Sequence, residues 1–142
     1  IVGMRPASEV LALGRQANVV VTGLVPDVRP YLKHARVVVA PLRIARGIQN
    51  KVLEAMAMAR PVVASDCAAD ALSAQRGVEL ETAGSADDFA RKTLALMDQA
   101  EMADALGLAG RNRVLADYEW TANLSSFAKL LDEDQPARAE AR

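Results

Sequence analysis

The chain has 142 residues, a formal net charge of −1 and 51% hydrophobic residues. Such a length suits one domain, or half of a two-domain protein, and the composition supplies enough apolar residues for a core. The near-neutral charge argues against a general nucleic-acid binder, and the single cysteine excludes an internal disulfide. No apolar run approaches the roughly 18–20 residues that span a bilayer. A globular domain is therefore predicted.

Short β-branched runs, each closed by a small residue or proline, predict the strands. Three of them, 19–23, 37–41 and 61–65, are apolar without alternation, which is typical of strands covered on both faces. A weaker run at 78–81 predicts a fourth strand. The sequence opens on Ile1-Val2-Gly3, which resembles the end of a further strand.

Segments with helical spacing separate the predicted strands. The helices that we predict cover 7–17, with Ser8 as a candidate cap; 27–35, with Asp27 as N-cap; 47–59; a segment that opens at the S-x-x-D capping pattern of Ser85 and Asp88; about 101–116; and about 121–131. The alternation predicts an α/β fold, a doubly wound Rossmann-like parallel sheet with a helical C-terminal segment. We expect residues 1–131 to form this domain and the charged residues 132–142 to be a loose tail.

The loop after the 37–41 strand carries the strongest functional signal, because open parallel sheets bind ligands at the carboxyl ends of their strands. Gly47 stands where the next helix is predicted to begin, so that unpaired backbone N–H groups there can donate to an anion. Positive charge surrounds this turn at Arg43, Arg46 and Lys51. Seven residues after Gly47, Glu54 can accept hydrogen bonds from two vicinal hydroxyls, such as those of a ribose. The pattern predicts a nucleotide diphosphate site.

Simpler interpretations of the same residues stay open. Glu54 can be a solvated helix residue that pairs with Lys51, and the cations can form an ordinary solvated face. Cys67 has no histidine or cysteine near it in the sequence, which favours a small, partly buried residue over a nucleophile. Neither standard nucleotide fingerprint occurs, and no cluster has metal-ligand spacing.

One block resembles the donor-binding half of family 4 glycosyltransferases, which have the GT-B architecture of two facing Rossmann-like domains. The match is carried by Leu53-Glu54-Ala55-Met56-Ala57 and Pro61-Val62-Val63-Ala64, with support from 21–28, Tyr31-Leu32, Val39-Ala40-Pro41, Ala109-Gly110-Arg111 and Tyr118-Glu119-Trp120. The segment Gly47-Ile48-Gln49-Asn50-Lys51 is similar to a subgroup met in bacterial exopolysaccharide gene clusters, the exosortase-associated type.

The resemblance implies roles for individual residues. Glu54 would hold the nucleotide ribose, and the backbone N–H of Gly47 would face the donor phosphates or sugar, with Ile48, Arg46 and Lys51 beside it. Val25 and Asp27 would meet the nucleobase. These residues make up the predicted site. The catalytic group is not identified, and no metal is expected.

Departures from the family pattern also carry expectations. Arg46 stands where the family has a glutamate, which implies an anionic sugar or a changed contact. Ala59 stands where the family has glycine at the helix end, so we expect this C-cap to be made another way. In the family, the arginine and lysine that clamp the diphosphate lie on the first strand and helix of this domain. The resemblance implies that this strand and helix, and the acceptor-binding domain, would precede Ile1.

The reaction implied by the resemblance is transfer of a sugar from a nucleotide-sugar to an acceptor hydroxyl, with retention and without an obligatory metal or other cofactor. We expect the fragment alone to be inactive, to lack its acceptor-binding partner domain, and to form a homodimer that covers the position of the missing strand. A membrane-associated acceptor would place the protein in the cytoplasm or at the inner face of the membrane. Two alternatives are a non-catalytic interaction module on the same fold and a nucleotide-sugar epimerase of the same architecture.

Overall fold

A computed structural model describes residues 1–119 and residue 124. The chain divides into two compact units, the first covering Ile1–Ala35 and the second beginning at Arg36. Trp120, the predicted helix at 121–131 except for Leu124, and the predicted loose tail at 132–142 lie outside the described residues.

The first unit contains helices α1, Ser8–Leu13, and α2, Arg29–His34. The predicted strand at 19–23 is wrong as a regular strand, although its backbone does pair with the start of the chain. Val20 O accepts from the Ile1 ammonium at 2.6 Å, and Thr22 N donates to Ile1 O at 3.0 Å. These two bonds have the pattern of a parallel pair, but the next bond, from Gly3 N to Gly23 O at 3.2 Å, is shifted by one residue from that register, and no ladder forms.

Both helix caps predicted for the first unit lie one residue away from the true N-cap. Ala7 is the N-cap of α1, and the Ser8 hydroxyl instead lies 3.1 Å from a Glu9 carboxylate oxygen. Val28 is the N-cap of α2. The Asp27 carboxylate still accepts from the Arg29 backbone N–H at 2.9 Å, so that it satisfies one of the first-turn donors that a cap normally serves.

The second unit is built on three parallel strands in the order β1-β2-β3, namely β1, Val38–Ala40; β2, Val62–Ser65; and β3, Glu81–Ala83. In register, Val39 lies opposite Val63, and Ala64 lies opposite Thr82. The consecutive residues Val62, Val63 and Ala64 are all at most 1% exposed. Since side chains alternate between the faces of a strand, both faces of β2 are covered, as the unbroken apolar run predicts.

Helices separate the strands and complete the unit: α3, Asn50–Ala57; α4, Asp66–Ala69; α5, Ala86–Asp98; and α6, Ala100–Asp117. The predicted capping pattern of α5 is confirmed, because the Ser85 hydroxyl accepts from the Asp88 N–H at 3.2 Å. A parallel sheet with intervening helices confirms the predicted α/β, Rossmann-like fold class.

The predicted strand at 78–81 is wrong by three residues, since β3 begins only at Glu81. Turn hydrogen bonds hold the preceding segment, from Glu79 N to Gln75 O at 2.8 Å and from Gly77 N to Leu80 O at 2.7 Å. Gly77 has a φ of +75°, a left-handed conformation that closes this turn and keeps Val78 out of the sheet.

Helix α6 packs closely on the rest of the second unit because it presents glycine at two contact points. A Cβ at Gly107 would lie 2.4 Å from the Ala59 carbonyl oxygen, and one at Gly110 would lie 2.6 Å from the Glu79 carbonyl oxygen. A side chain at either position would push the helix away. Leu106, on the same helix, is buried with Val63 and Leu96 in the core.

The C-terminus of α3 corrects the expectation that Ala59 requires a different cap. Ala59 has a φ of +52°, the left-handed conformation that glycine usually supplies. The Arg60 N–H donates to Ala55 O at 3.0 Å and the Ala59 N–H to Met56 O at 2.8 Å. These are the two bonds of a Schellman motif, so that the usual cap forms with alanine in the glycine position.

Candidate functional site

The carboxyl ends of β1, β2 and β3 open onto a cleft of about 560 Å³. The cleft is lined by Pro41, Leu42 and Arg43 after β1, by Ser65, Asp66 and Cys67 at the end of β2, and by Ala83, Gly84, Ser85, Ala86 and Phe89 at the end of β3 and the start of α5. This is the edge at which open parallel sheets bind ligands, and the volume lies in the range of small-molecule sites.

Polar contacts fix the β2 side of the cleft. The Cys67 thiol donates to the Leu42 carbonyl at 3.2 Å, and its sulfur lies 3.3 Å from the Ser65 hydroxyl. Asp66 is held by the Arg76 guanidinium at 3.1 Å. Cys67 is half-buried, as the simpler interpretation predicts, and it ties the loop after β1 to the end of β2.

The loop between β1 and α3 has a fixed backbone conformation. Gly47 has a φ of +63°, and the Gln49 side-chain amide donates to both Arg46 O at 3.2 Å and Gly47 O at 3.1 Å. Because the Gln49 amide holds these two carbonyls outside the helix, α3 begins at Asn50. The prediction that this helix begins at Gly47 is therefore wrong by three residues.

The later start brings Glu54 closer to the N-terminus of α3 than predicted. Glu54 follows Asn50 by four residues, which is about one turn, so their side chains share a helical flank. Within the described residues, the backbone N–H groups of Asn50 and Lys51 have no hydrogen-bond acceptor, as is normal for a first turn. These donors and the exposed Glu54 carboxylate face solvent at one end of one helix.

The cations of the second unit separate into two groups. Across 36–119, seven lysine and arginine side chains have a protein partner, and three have neither a hydrogen bond nor an ion pair from their side chain to any described residue. The three are Arg43, Arg46 and Lys51, all exposed. The seven with partners are Arg36, Arg60, Arg76, Arg91, Lys92, Arg111 and Arg113.

The simpler interpretation of Glu54 is met in part: Glu54 is a solvent-exposed helix residue, but its pairing with Lys51 is not found. Within the described residues no ion pair joins Lys51 to Glu54. On α3, Val52, Ala55 and Met56 are fully buried, whereas Ile48 is 50% exposed. Ile48 lies before the helix, in the same exposed loop as Gly47 and Arg46.

Val25 and Asp27 belong to the first unit. Val25 is half-buried. Asp27 is already engaged, because the Arg29 guanidinium donates to both its carboxylate oxygens at 3.0 and 3.1 Å. The hydrogen bonds from the Arg29 side chain, together with that from the Arg29 backbone N–H, lower the pKa of Asp27 below its ordinary value.

Ser65, Asp66 and Ser85 line the cleft although the sequence did not single them out as site residues. The rule that ligands bind after the strands pointed to the loop after Ser65. Because the third strand was predicted three residues too early, the sequence did not show that Ser85 follows the carboxyl end of β3. Within the part of the chain that the structure describes, no group of histidine, cysteine and acidic side chains is arranged to hold a metal ion, and no helix is long and apolar enough to cross a membrane.

The fold defines an α/β domain of the Rossmann-like class, and its cleft lies at the carboxyl edge of a parallel sheet. A sequence model of the family described as "Glycosyl transferases group 1" matches residues 1–99. The chain belongs to this family, and the predicted class of glycosyltransferase domain is confirmed. No protein of curated description matches the chain.

Two solved structures with this fold are similar over most of the chain. Sucrose-phosphate synthase from Thermosynechococcus elongatus aligns with a TM-score of 0.74 and 23% identity, over 88% of this chain and 32% of the other. A glycosyltransferase from Rickettsia africae aligns with a TM-score of 0.72 and 15% identity, over 87% of this chain and 34% of the other. The chain thus spans about a third of the length of each structure.

Proposed function

We propose that the chain is the donor-binding part of a retaining glycosyltransferase of family 4, which moves a sugar from a nucleotide-sugar to an acceptor hydroxyl. The pathway would be exopolysaccharide or glycoconjugate synthesis in a bacterium, on the cytoplasmic side of the membrane. Residues outside this chain would bind the acceptor, so that the chain alone binds donor without transferring sugar.

The observation that carries the proposal is that the three cationic side chains without a described partner all lie between the end of β1 and the first turn of α3. Unpaired arginine and lysine side chains repel one another, and a bound anion removes that repulsion. The free N–H groups of Asn50 and Lys51 add the positive end of the helix at the same place. A diphosphate matches this arrangement, since it presents adjacent anionic oxygens to both the side chains and the helix start.

Glu54 supports a nucleotide in particular. A diphosphate at the start of α3 would leave the attached ribose about one helical turn away, where the Glu54 carboxylate is exposed and free of a protein cation. A carboxylate accepts hydrogen bonds from both hydroxyls of a ribose. The space around Gly47 is open, since a Cβ added there would meet no atom within 4 Å, and the proposed phosphates would have room beside it.

The experiment is a titration of the chain with UDP, GDP and ADP, followed by NMR, for wild type, Glu54→Ala and Glu101→Ala. Glu101 is an exposed glutamate on α6, away from the site loop, and serves as the matched control. We expect at least one nucleotide to bind, and Glu54→Ala to weaken its binding by about 1–3 kcal/mol, the value of a hydrogen bond to a charged group. Glu101→Ala should bind like wild type.

Two results would contradict the proposal. If no nucleoside diphosphate binds the wild-type chain, the donor site is wrong; if Glu54→Ala binds as tightly as wild type, Glu54 does not hold the ribose. Arg46, a cation where the resemblance implies a glutamate, favours the alternative of a non-catalytic module. Donor turnover by the intact protein would exclude that module, and a product assay would separate transfer from epimerisation.

The predicted homodimer of the fragment belongs to the same proposal. Light scattering of the chain should show a dimer, and a monodisperse monomer with well-dispersed amide signals would contradict it.

A further inference from the structure

Gln49 is the N-cap of α3, but its side chain makes no hydrogen bond to the helix. The side-chain amide reaches back to the preceding loop and donates to Arg46 O at 3.2 Å and to Gly47 O at 3.1 Å. The backbone carbonyl of Gln49 accepts from the N–H groups of Val52 at 2.9 Å and Leu53 at 3.2 Å. Gln49 therefore joins the loop between β1 and α3 to the first turn of the helix.

An ordinary N-cap side chain would compete with an anion at this place. Serine, aspartate or asparagine in the N-cap position accepts a hydrogen bond from the backbone N–H two or three residues later, which in α3 belongs to Lys51 or Val52. The Val52 N–H already donates to the Gln49 carbonyl, so a capping side chain would take the Lys51 N–H. Because the Gln49 side chain is turned toward the loop, the Lys51 N–H keeps no acceptor among the described residues.

The same two hydrogen bonds hold the loop that carries part of the proposed phosphate site. Among residues 46–51 only Gln49 is half-buried, and the others are exposed. No backbone N–H of the described residues donates to the carbonyl of Arg46 or Gly47. The Gln49 amide therefore fixes the backbone of Arg46, one of the three cations without a partner, relative to the start of the helix.

We propose that Gln49 is a positioning residue for the diphosphate. Its side-chain amide holds the loop in place and, by pointing away from the helix, leaves the Lys51 N–H open to the ligand. This inference rests on the proposed function, because it requires a nucleoside diphosphate at the start of α3. Gln49 itself makes no contact with the ligand in this arrangement and acts through Arg46, Gly47 and Lys51.

The test replaces Gln49 by serine, which is a favourable N-cap but is too short to reach both loop carbonyls. Titration of the 142-residue chain with UDP, GDP and ADP measures the affinity, and urea unfolding measures the stability. We expect Gln49→Ser to bind the preferred nucleotide about tenfold more weakly. Its free energy of unfolding should be unchanged or higher, because the new cap of α3 offsets the lost loop bonds. A merely structural role for Gln49 would lower affinity and stability together.

Amide hydrogen exchange of Lys51 supplies a second measurement. In the wild-type chain this amide should exchange quickly and become protected when the nucleotide binds, whereas in Gln49→Ser it should be protected without nucleotide. Gln99→Ser is the matched control, since Gln99 is likewise a glutamine N-cap whose side chain makes no hydrogen bond to its helix, α6. This control should bind nucleotide like wild type.

Three results would overturn the inference while the wild-type chain still binds nucleotide, so that the proposed function stands. Equal affinity of Gln49→Ser and wild type would show that Gln49 does not position the site. Loss of affinity together with loss of stability would reduce Gln49 to a support of the fold. A Lys51 amide that exchanges equally fast with and without bound nucleotide would show that the ligand does not use this N–H. Absence of binding of UDP, GDP and ADP to the wild-type chain would contradict both proposals at once.

Discussion

Replacing Ala59 by glycine tests the described end of α3 directly. Ala59 holds a φ of +52°, and an L-residue in this left-handed conformation costs about 1–2 kcal/mol. Glycine removes that strain but adds roughly 0.5–1 kcal/mol of backbone entropy to the unfolded chain. The Schellman hydrogen bonds at 3.0 and 2.8 Å involve only backbone atoms and are retained.

The balance predicts that Ala59→Gly stabilises the protein by about 0.5–1 kcal/mol. For a chain of this size the melting temperature should rise by roughly 2–4 °C. Urea unfolding measures the effect as a higher midpoint at an unchanged m-value. The matched control is Ala57→Gly, two residues earlier and within the helix, which should destabilise by about 0.5–1 kcal/mol.

If Ala59→Gly is no more stable than wild type, the described end of α3 is contradicted. In that case Ala59 would not occupy the left-handed conformation in solution, and the helix would end in another way. Equal destabilisation by both glycine variants would carry the same meaning, because it would show that Ala59 behaves as an ordinary helical residue.

Two further predictions concern the packing of α6. Gly107→Ala should destabilise by about 1–3 kcal/mol in urea unfolding, because its Cβ would lie 2.4 Å from the Ala59 oxygen; a neutral effect would refute this close approach. The hydrogen bond from Arg113 lowers the pKa of Glu79, so this carboxylate stabilises the fold above the ordinary glutamate pKa and loses its contribution as the pH falls through the lowered value. Glu79→Gln should therefore be less stable than wild type at neutral pH, by a margin that shrinks on acidification; a margin independent of pH would contradict the ion pair.

Much of the second unit could be predicted because local signals agree with its packing. The runs at 37–41 and 61–65 are apolar throughout, and they form β1 and β2. Both faces of β2 are covered, as its run predicts, whereas that expectation is wrong for β1, in which Val39 is 48% exposed. Ser85 caps α5 as its spacing with Asp88 predicts. In these places the sequence pattern and the tertiary environment require the same structure.

Predictions failed where a few hydrogen bonds outweigh the local pattern. The apolar residues Val78 and Leu80 suggest a strand, but backbone bonds around Gly77 hold Val78 in a turn, and Leu80 forms only an isolated bridge with Arg76. At the start of α3 the helical spacing extends back to Gly47, but the Gln49 side chain binds the two carbonyls of that loop. Side-chain to backbone bonds of this kind have no periodic signature in a sequence.

The candidate site was predictable in part for the same reasons. Its cations and Glu54 lie within one short stretch of sequence, so that the chain order alone brings them together. The cleft combines residues that follow three different strands, such as Arg43, Ser65 and Ser85. Their proximity depends on strand order and on the true start of β3, and neither is encoded in a local pattern.

The central claim is that a nucleoside diphosphate binds at the start of α3. The most direct test compares the backbone amide chemical shifts of the free chain with those of the chain saturated with whichever of UDP, GDP and ADP binds. We expect the largest chemical-shift changes at residues 47–54, and we expect these changes to be lost in Glu54→Ala at the same nucleotide concentration. Unchanged amides in that segment, with the main shifts on α5 and α6 instead, would contradict it.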